Sequence, residues 1–451
     1  MNENKDKLEI VIVGGGLVGT LNALFFAQYD KFNVTIYEKS PDNRTIHQDV
    51  GRNINLSLSY RGLLALKIVD LEEEVLKKCI PMYARMIHER SGPLKRFFYG
   101  KSSQCIFAME RRVLLNILLA KAEIHKSIQI NFNTKLYDVN FNEKIAKFKN
   151  LKNMEDIEKK FDLLVGNDGA YSHVRHIMTK NLRMDFSQEY IPHGYIEMTF
   201  PPVDGNKHSM DKNCLHIWPR NEYMLTALPN LNGSFSGTLF MPFKMFESIH
   251  SKKDLLELFE KEFPDALEII GKLHLCDLFQ KSKLSKMVTI RCNPYNLGEK
   301  CVIMGDAAHA MVPFYGQGMN SGFEDVTIFH EILQKNDFNL GKTCNDFSEK
   351  RNNDAKAMCE LASYNYLELR KNVTMLSFRM RKMFDNLMNS LFPSYWIPLY
   401  TMVCFSRIPY MKCVEEKQKQ DKILSRIQSL SIGVMLGSII IGINRILQIK
   451  K

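Results

Sequence analysis

Residues 8–38 constrain this chain more than any other stretch. LEIVIV, residues 8–13, is a nearly unbroken apolar run, as a strand covered on both faces requires. GGGLVG follows, then a helical stretch through LNALFFAQYD, then a second apolar strand, NVTIYE. Strand, helix and strand joined by short connections spell a βαβ unit. Gly14-x-Gly16-x-x-Gly19 sits at its first turn. Gly14 permits the tight turn, Gly16 lets backbone approach a pyrophosphate, and Gly19 lets helix and sheet pack closely. The helix start, Leu17 and Val18, then faces the phosphates. Glu38 ends the second strand, 19 residues beyond Gly19, where a carboxylate can bind ribose hydroxyls, with Lys39 beside it. An acid at that place favours FAD or NAD over NADP. A plain glycine turn in an α/β protein is the bland alternative.

Two further apolar strands end in Gly/Asp turns, FDLLVGNDG and CVIMGDAAH. Between them, GYIEMTF, YMLTALP and SFSGTLFMPF read as strands of a sheet inserted into the first domain. Beyond residue 321 the chain reads as largely helical. The expected class is α/β, a Rossmann-like nucleotide-binding domain with an inserted β-sheet substrate domain, a helical C-terminal region and a hydrophobic tail. The expected divisions are residues 1–181 and 291–340 for the binding domain and 182–290 for the sheet. Residues 341–425 form the helical region and 426–451 the tail.

Asp168-Gly169-x-x-Ser172-x-x-Arg175 and Gly305-Asp306-Ala307-Ala308-His309 each suit an Asp-capped helix start. In this order after GxGxxG they resemble the DG and GD motifs of flavoprotein hydroxylases. In that family Asp168 and Asp306 would serve FAD, Asp306 on its ribityl chain. PFYGQGMN, residues 313–320, is similar to the loop beside the isoalloxazine, which implies Gly318, Met319 and Asn320 at the flavin. GRNINLSLSYRG, IPMYARMIHE, YIPHGYIEMT, LHIWPRN, YNYLELR and IPLYTMV narrow the resemblance to the kynurenine 3-monooxygenase family.

That resemblance implies hydroxylation of L-kynurenine with FAD, NADPH and O2, through a flavin hydroperoxide. It implies Arg85 on the substrate α-carboxylate, since a planar guanidinium suits a bidentate contact. Tyr99, Asn365 and Tyr400 match polar substrate ligands, and Phe240, Pro313 and Phe314 the walls around the aniline ring. Arg111 matches a flavin-binding arginine, with Arg112 as its neighbour, and Leu136 a further cofactor contact. Tyr315 stands where the family usually has phenylalanine. No catalytic acid or base is implied, and His309 suits packing behind the GD turn better than catalysis. No metal site is expected.

Lys+Arg 61 against Asp+Glu 50 leaves +11. No nucleic-acid motif accompanies it, so a membrane surface or anionic small molecules suit the excess better. Ten cysteines without a CxxC pair, and a charged start in place of a signal peptide, suggest reduced thiols facing the cytosol. From Ile427 to Asn444 no residue is charged. As a helix this segment spans roughly 27 Å, near the hydrocarbon thickness of a bilayer. It reads as a membrane anchor or docked helix, with a buried helix as the alternative. The family implies the outer mitochondrial membrane.

Overall fold

The computed structural model describes residues 7–45, 55–91, 93–100, 104–427 and 429. The apolar tail expected from 426 lies almost wholly outside them. Among the described residues no helix is long and apolar enough to cross a membrane.

A six-stranded sheet carries the first core. Its order is Asn296–Leu297, Cys301–Ile303, Leu163–Gly166, Leu8–Val13, Phe32–Tyr37, Ile128–Asn131. The pairs are parallel, apart from the short edge pair Asn296–Leu297 with Cys301–Ile303. Ile10, Val11 and Ile12 are fully buried, because helices cover both faces and leave no side of the strand to water. Val13 is in register with Gly166, and Gly166 with Ile303. The three Gly/Asp turns singled out in the sequence therefore emerge side by side at the carboxyl ends of adjacent strands, where open parallel sheets bind ligands.

The second sheet has seven strands, ordered Ser285–Asn293, Asp185–Phe200, Phe235–Pro242, Tyr223–Pro229, Cys214–Arg220, Ala84–Ile87, Lys95–Phe98. Here the structure differs from the expected division. Ala84–Ile87 pairs in parallel with Cys214–Ile217, and Ser285–Asn293 runs past residue 290. Strand Ala84–Ile87 is fully buried and too short to have been separated from its neighbours by pattern alone. Arg85 thus belongs to the substrate sheet although it lies within 1–181.

The helix Leu340–Arg370 packs on this sheet. Met358, Leu361, Ala362, Tyr366 and Leu369 join Tyr99, Phe240, Phe314 and Tyr315 in one apolar cluster between the two sheets. Each such side chain, fully buried, stabilises the packing by about 1.5–3 kcal/mol. Helix Leu376–Leu391 follows and buries none of its residues. A last helix over residues 410–427 lies beside it, held by an Arg381–Asp421 ion pair of 2.7 Å.

Candidate active site

One continuous cavity joins the two sheets. Its wall includes Gly16, Leu17, Val18, Arg111, Asp306, Gly318 and Met319 at one end, and Arg85, Phe240, Asn365 and Tyr400 at the other, with Pro313 and Phe314 also in its wall.

The first end is a cradle built from backbone. Gly14 has φ +104°, and a Cβ there would fall 2.4 Å from the Asn167 carbonyl oxygen. A Cβ on Gly19 would fall 1.9 Å from the Gly14 carbonyl, so only glycine closes this turn. Gly16, Gly169 and Gly318 instead have no atom within 4 Å of where a Cβ would sit, leaving the backbone open to a ligand. Helices Leu17–Ala27 and Gly318–Lys335 lack both a side-chain cap and an acid in the first turn. Their terminal N–H groups stay free for negative charge. Glu38 accepts hydrogen bonds from the N–H groups of Gly15 and Ser40, each 2.8 Å, which fixes its carboxylate beside the glycine turn. The buried Asn167 Oδ1 has no partner among the described residues, and Asn167 lines the cavity. Uncapped helix starts, open glycines and an unpartnered amide suit a dinucleotide such as FAD.

Some expected cofactor residues support the cradle without lining it. Asp168 accepts from Ser172 Oγ at 2.5 Å and from the His173 N–H at 2.6 Å, so its carboxylate caps a helix. Asn320 is fully buried; its side chain accepts from the Ser59 N–H and donates to the Ser57 and Gly316 carbonyls. Leu136 is buried in the first core, and Lys39 is exposed. Arg111 lines the cavity, whereas Arg112 donates to the Asn43 carbonyl.

The second end is aromatic with one cation. Tyr99 stacks on Tyr400 at 5.0 Å, and Tyr400 on Tyr315 at 5.7 Å. The Arg85 guanidinium lies 4.6 Å from the Tyr400 ring centre. Phe314 stacks on Tyr366 at 3.8 Å and meets Phe240 edge-on at 4.9 Å. Asn365 donates to the Phe314 carbonyl at 2.8 Å, so it braces this wall. Burial pushes the phenols of Tyr99, Tyr315 and Tyr400 up, so all three stay protonated at neutral pH. Arg85 is buried, which favours the neutral form, but the ring faces of Tyr400 and Tyr99 and the Glu368 carboxylate hold it charged.

Glu368 is the residue that sequence reasoning missed. Arg85 Nη1 donates to its Oε1 at 2.9 Å, while Arg85 Nε has no partner among the described residues. The available signal was spacing: Glu368 is three residues after Asn365 in the same helix, on the same face. His309 faces away from such work. It is buried against Asp325 at 2.6 Å.

Comparison with known proteins agrees with this geometry. The FAD binding domain family matches residues 7–335. The kynurenine 3-monooxygenase of Anopheles gambiae is 45% identical over 93% of this chain and 86% of its own length. The chain belongs to the kynurenine 3-monooxygenase family. The enzyme of that name from Sus scrofa is 43% identical over 93% of this chain and 88% of its own. The solved structure of 2-methyl-3-hydroxypyridine-5-carboxylic acid oxygenase shares the fold, with a TM-score of 0.66, 18% identity and coverage of 82% of this chain and 94% of that one. Like others in the kynurenine 3-monooxygenase family, the chain is an FAD-dependent monooxygenase with NADPH as co-substrate.

Proposed function

We propose that this chain hydroxylates L-kynurenine at ring carbon 3, consuming NADPH and O2. The observation that carries the reading is the single cavity joining the glycine cradle to Arg85. FAD held in the cradle and reduced by NADPH would supply the oxygen-activating chemistry. The protein's own residues bind and orient. Arg85 takes the α-carboxylate through the N–H groups that Glu368 leaves free. Glu368 has a second oxygen that can accept from the α-ammonium. Phe240, Pro313 and Phe314 hold the ring, and the ring's own amine donates electron density, so no strong protein base is needed. Burial of this end keeps water from the reacting atoms.

NADPH oxidation measured with and without L-kynurenine tests the reading, with the product identified by mass. A stimulated rate with one oxygen added to kynurenine supports it. Stimulated oxidation that yields no hydroxylated kynurenine, or a clear preference for a quinone precursor, sinks it.

For location, we propose the outer mitochondrial membrane, with the catalytic part facing the cytosol. The uncharged run from Ile427 to Asn444 and cysteines that are free throughout the described residues support this. Cell fractionation with protease protection tests it, and recovery in the matrix would overturn it.

A further inference from the structure

Helix Leu376–Leu391 has two unlike faces. Its polar inner side is tied to the protein, Arg379 to Glu89 at 2.7 Å and Arg381 to Asp421 at 2.7 Å. Its outer side carries Leu376, Met380, Met383, Leu387 and Leu391, which are 56–72% exposed and spaced four, three, four and four residues apart. They form one stripe along the helix. Phe392 and Tyr395, 51% and 87% exposed, continue it. An apolar band of this kind is unusual on a surface that meets only water.

The adjoining helix extends the pattern. Ile423 and Ile427 are 45% and 47% exposed, with Lys422 and Arg426 exposed beside them. Apolar side chains flanked by cations are the chemistry of an interfacial helix on anionic lipid. The chain then enters its uncharged run up to Asn444. A segment apolar on every side would leave a second apolar face uncovered if it merely lay along the stripe, so it does not satisfy the surface. A bilayer satisfies both.

We propose that the stripe on helix Leu376–Leu391 is a membrane-docking face, seated among the headgroups of an anionic bilayer. It acts in addition to any anchorage by the tail. The inner side of this helix reaches Glu89, and Lys382 lies over the Phe97 ring at 5.1 Å, so the docked helix also backs the strand whose Phe97 is paired with Arg85.

The test uses the full chain and vesicles of phosphatidylcholine and phosphatidylserine. Both native tryptophans, Trp218 and Trp396, are buried, and because Trp396 bonds Asp385 of this helix the unsubstituted chain with vesicles supplies the background to subtract. Met383→Trp should show water-exposed emission in buffer, then a blue shift and quenching by brominated lipid once vesicles are added. Ile124→Trp, exposed but outside the stripe, should not respond. Leu387→Trp repeats the measurement if the first variant folds poorly. Leu387→Glu should weaken vesicle partitioning about tenfold or more, with flavin content unchanged. A Met383→Trp chain that floats with vesicles while its added indole stays in water overturns the proposal, because the tail alone then holds it. Emission already blue-shifted without lipid also overturns it, and places the tail or a second copy on the stripe. A chain that ignores vesicles overturns it as well.

Discussion

At the scale of single residues, the substrate end is organised by one cation. Arg85 is buried among two aromatic rings and one carboxylate, and it keeps its charge because the Tyr400 and Tyr99 ring faces and the Glu368 carboxylate surround it. In the proposed role Arg85 makes a bidentate carboxylate contact that lysine cannot copy, and Arg85→Ala would remove it. Losing roughly 2–4 kcal/mol raises the dissociation constant for L-kynurenine about 30- to 1,000-fold. Flavin stays bound, because Arg85 stands at the other end of the cavity; titration of the flavin-loaded variant checks both. Lys382 gives the site a pH dependence. Partial burial over the Phe97 ring and the charge of Arg85 push it down to about 7, against the pull of Glu368. It is therefore a cation below about pH 7 and neutral above. The extra positive charge near Arg85 favours a substrate carboxylate, so KM should rise as pH climbs through neutrality. Lys382→Met should flatten that profile; an unchanged profile removes Lys382 from it.

At the scale of elements, the cofactor end is made by turns that follow parallel strands in register. Those turns were legible from sequence because their causes are local: a glycine forced by a close carbonyl, an acid a few residues before a helix. Their exact division of labour was not. Asp168 reads as a cofactor ligand, yet its carboxylate is spent on the start of helix His173–Asn181. The contact between Arg85 and Glu368 was also illegible, because it spans 283 positions and depends on a short strand joining a distant sheet. Two predictions separate ligand from scaffold. Asp306→Ala should lower the flavin-to-protein ratio after purification with little change in melting temperature, and Glu38→Ala should lower both, since its carboxylate also holds the Gly15 and Ser40 N–H groups. Asp168→Ala should first lower thermal stability, by about 0.5–2 kcal/mol for a lost cap. Equal loss of flavin and equal melting in all three would erase the distinction.

At the scale of the whole molecule, a buried ionic cluster ties the flavin-side turn to the chain that carries Tyr400. Asp325 accepts from the Gly305 N–H at 2.8 Å, holds His309, and meets Arg351 at 2.7 Å. Arg351 also reaches Glu324, which pairs with Arg61, and Arg61 donates to the Val403 and Ile408 carbonyls. Tyr410 lies against both arginines, 4.0 Å from one and 5.4 Å from the other. Burial alone would raise the Asp325 carboxyl, but His309 and Arg351 overcome it and hold it below the usual carboxylate range. Its contribution is therefore complete at neutral pH and lost only as pH falls through that low value. Arg351→Met reverses the sign. It leaves Asp325 with His309 and Glu324 with Arg61 as their remaining cations, one shared buried charge short, at a cost of up to about 3–5 kcal/mol. Burial then raises the Asp325 carboxyl with less opposition, so the variant should gain stability as pH is lowered from about 8 to about 5. The native chain should show no such gain. Melting temperatures of both across that range decide the matter, and parallel curves would show that Arg351 does not neutralise the cluster.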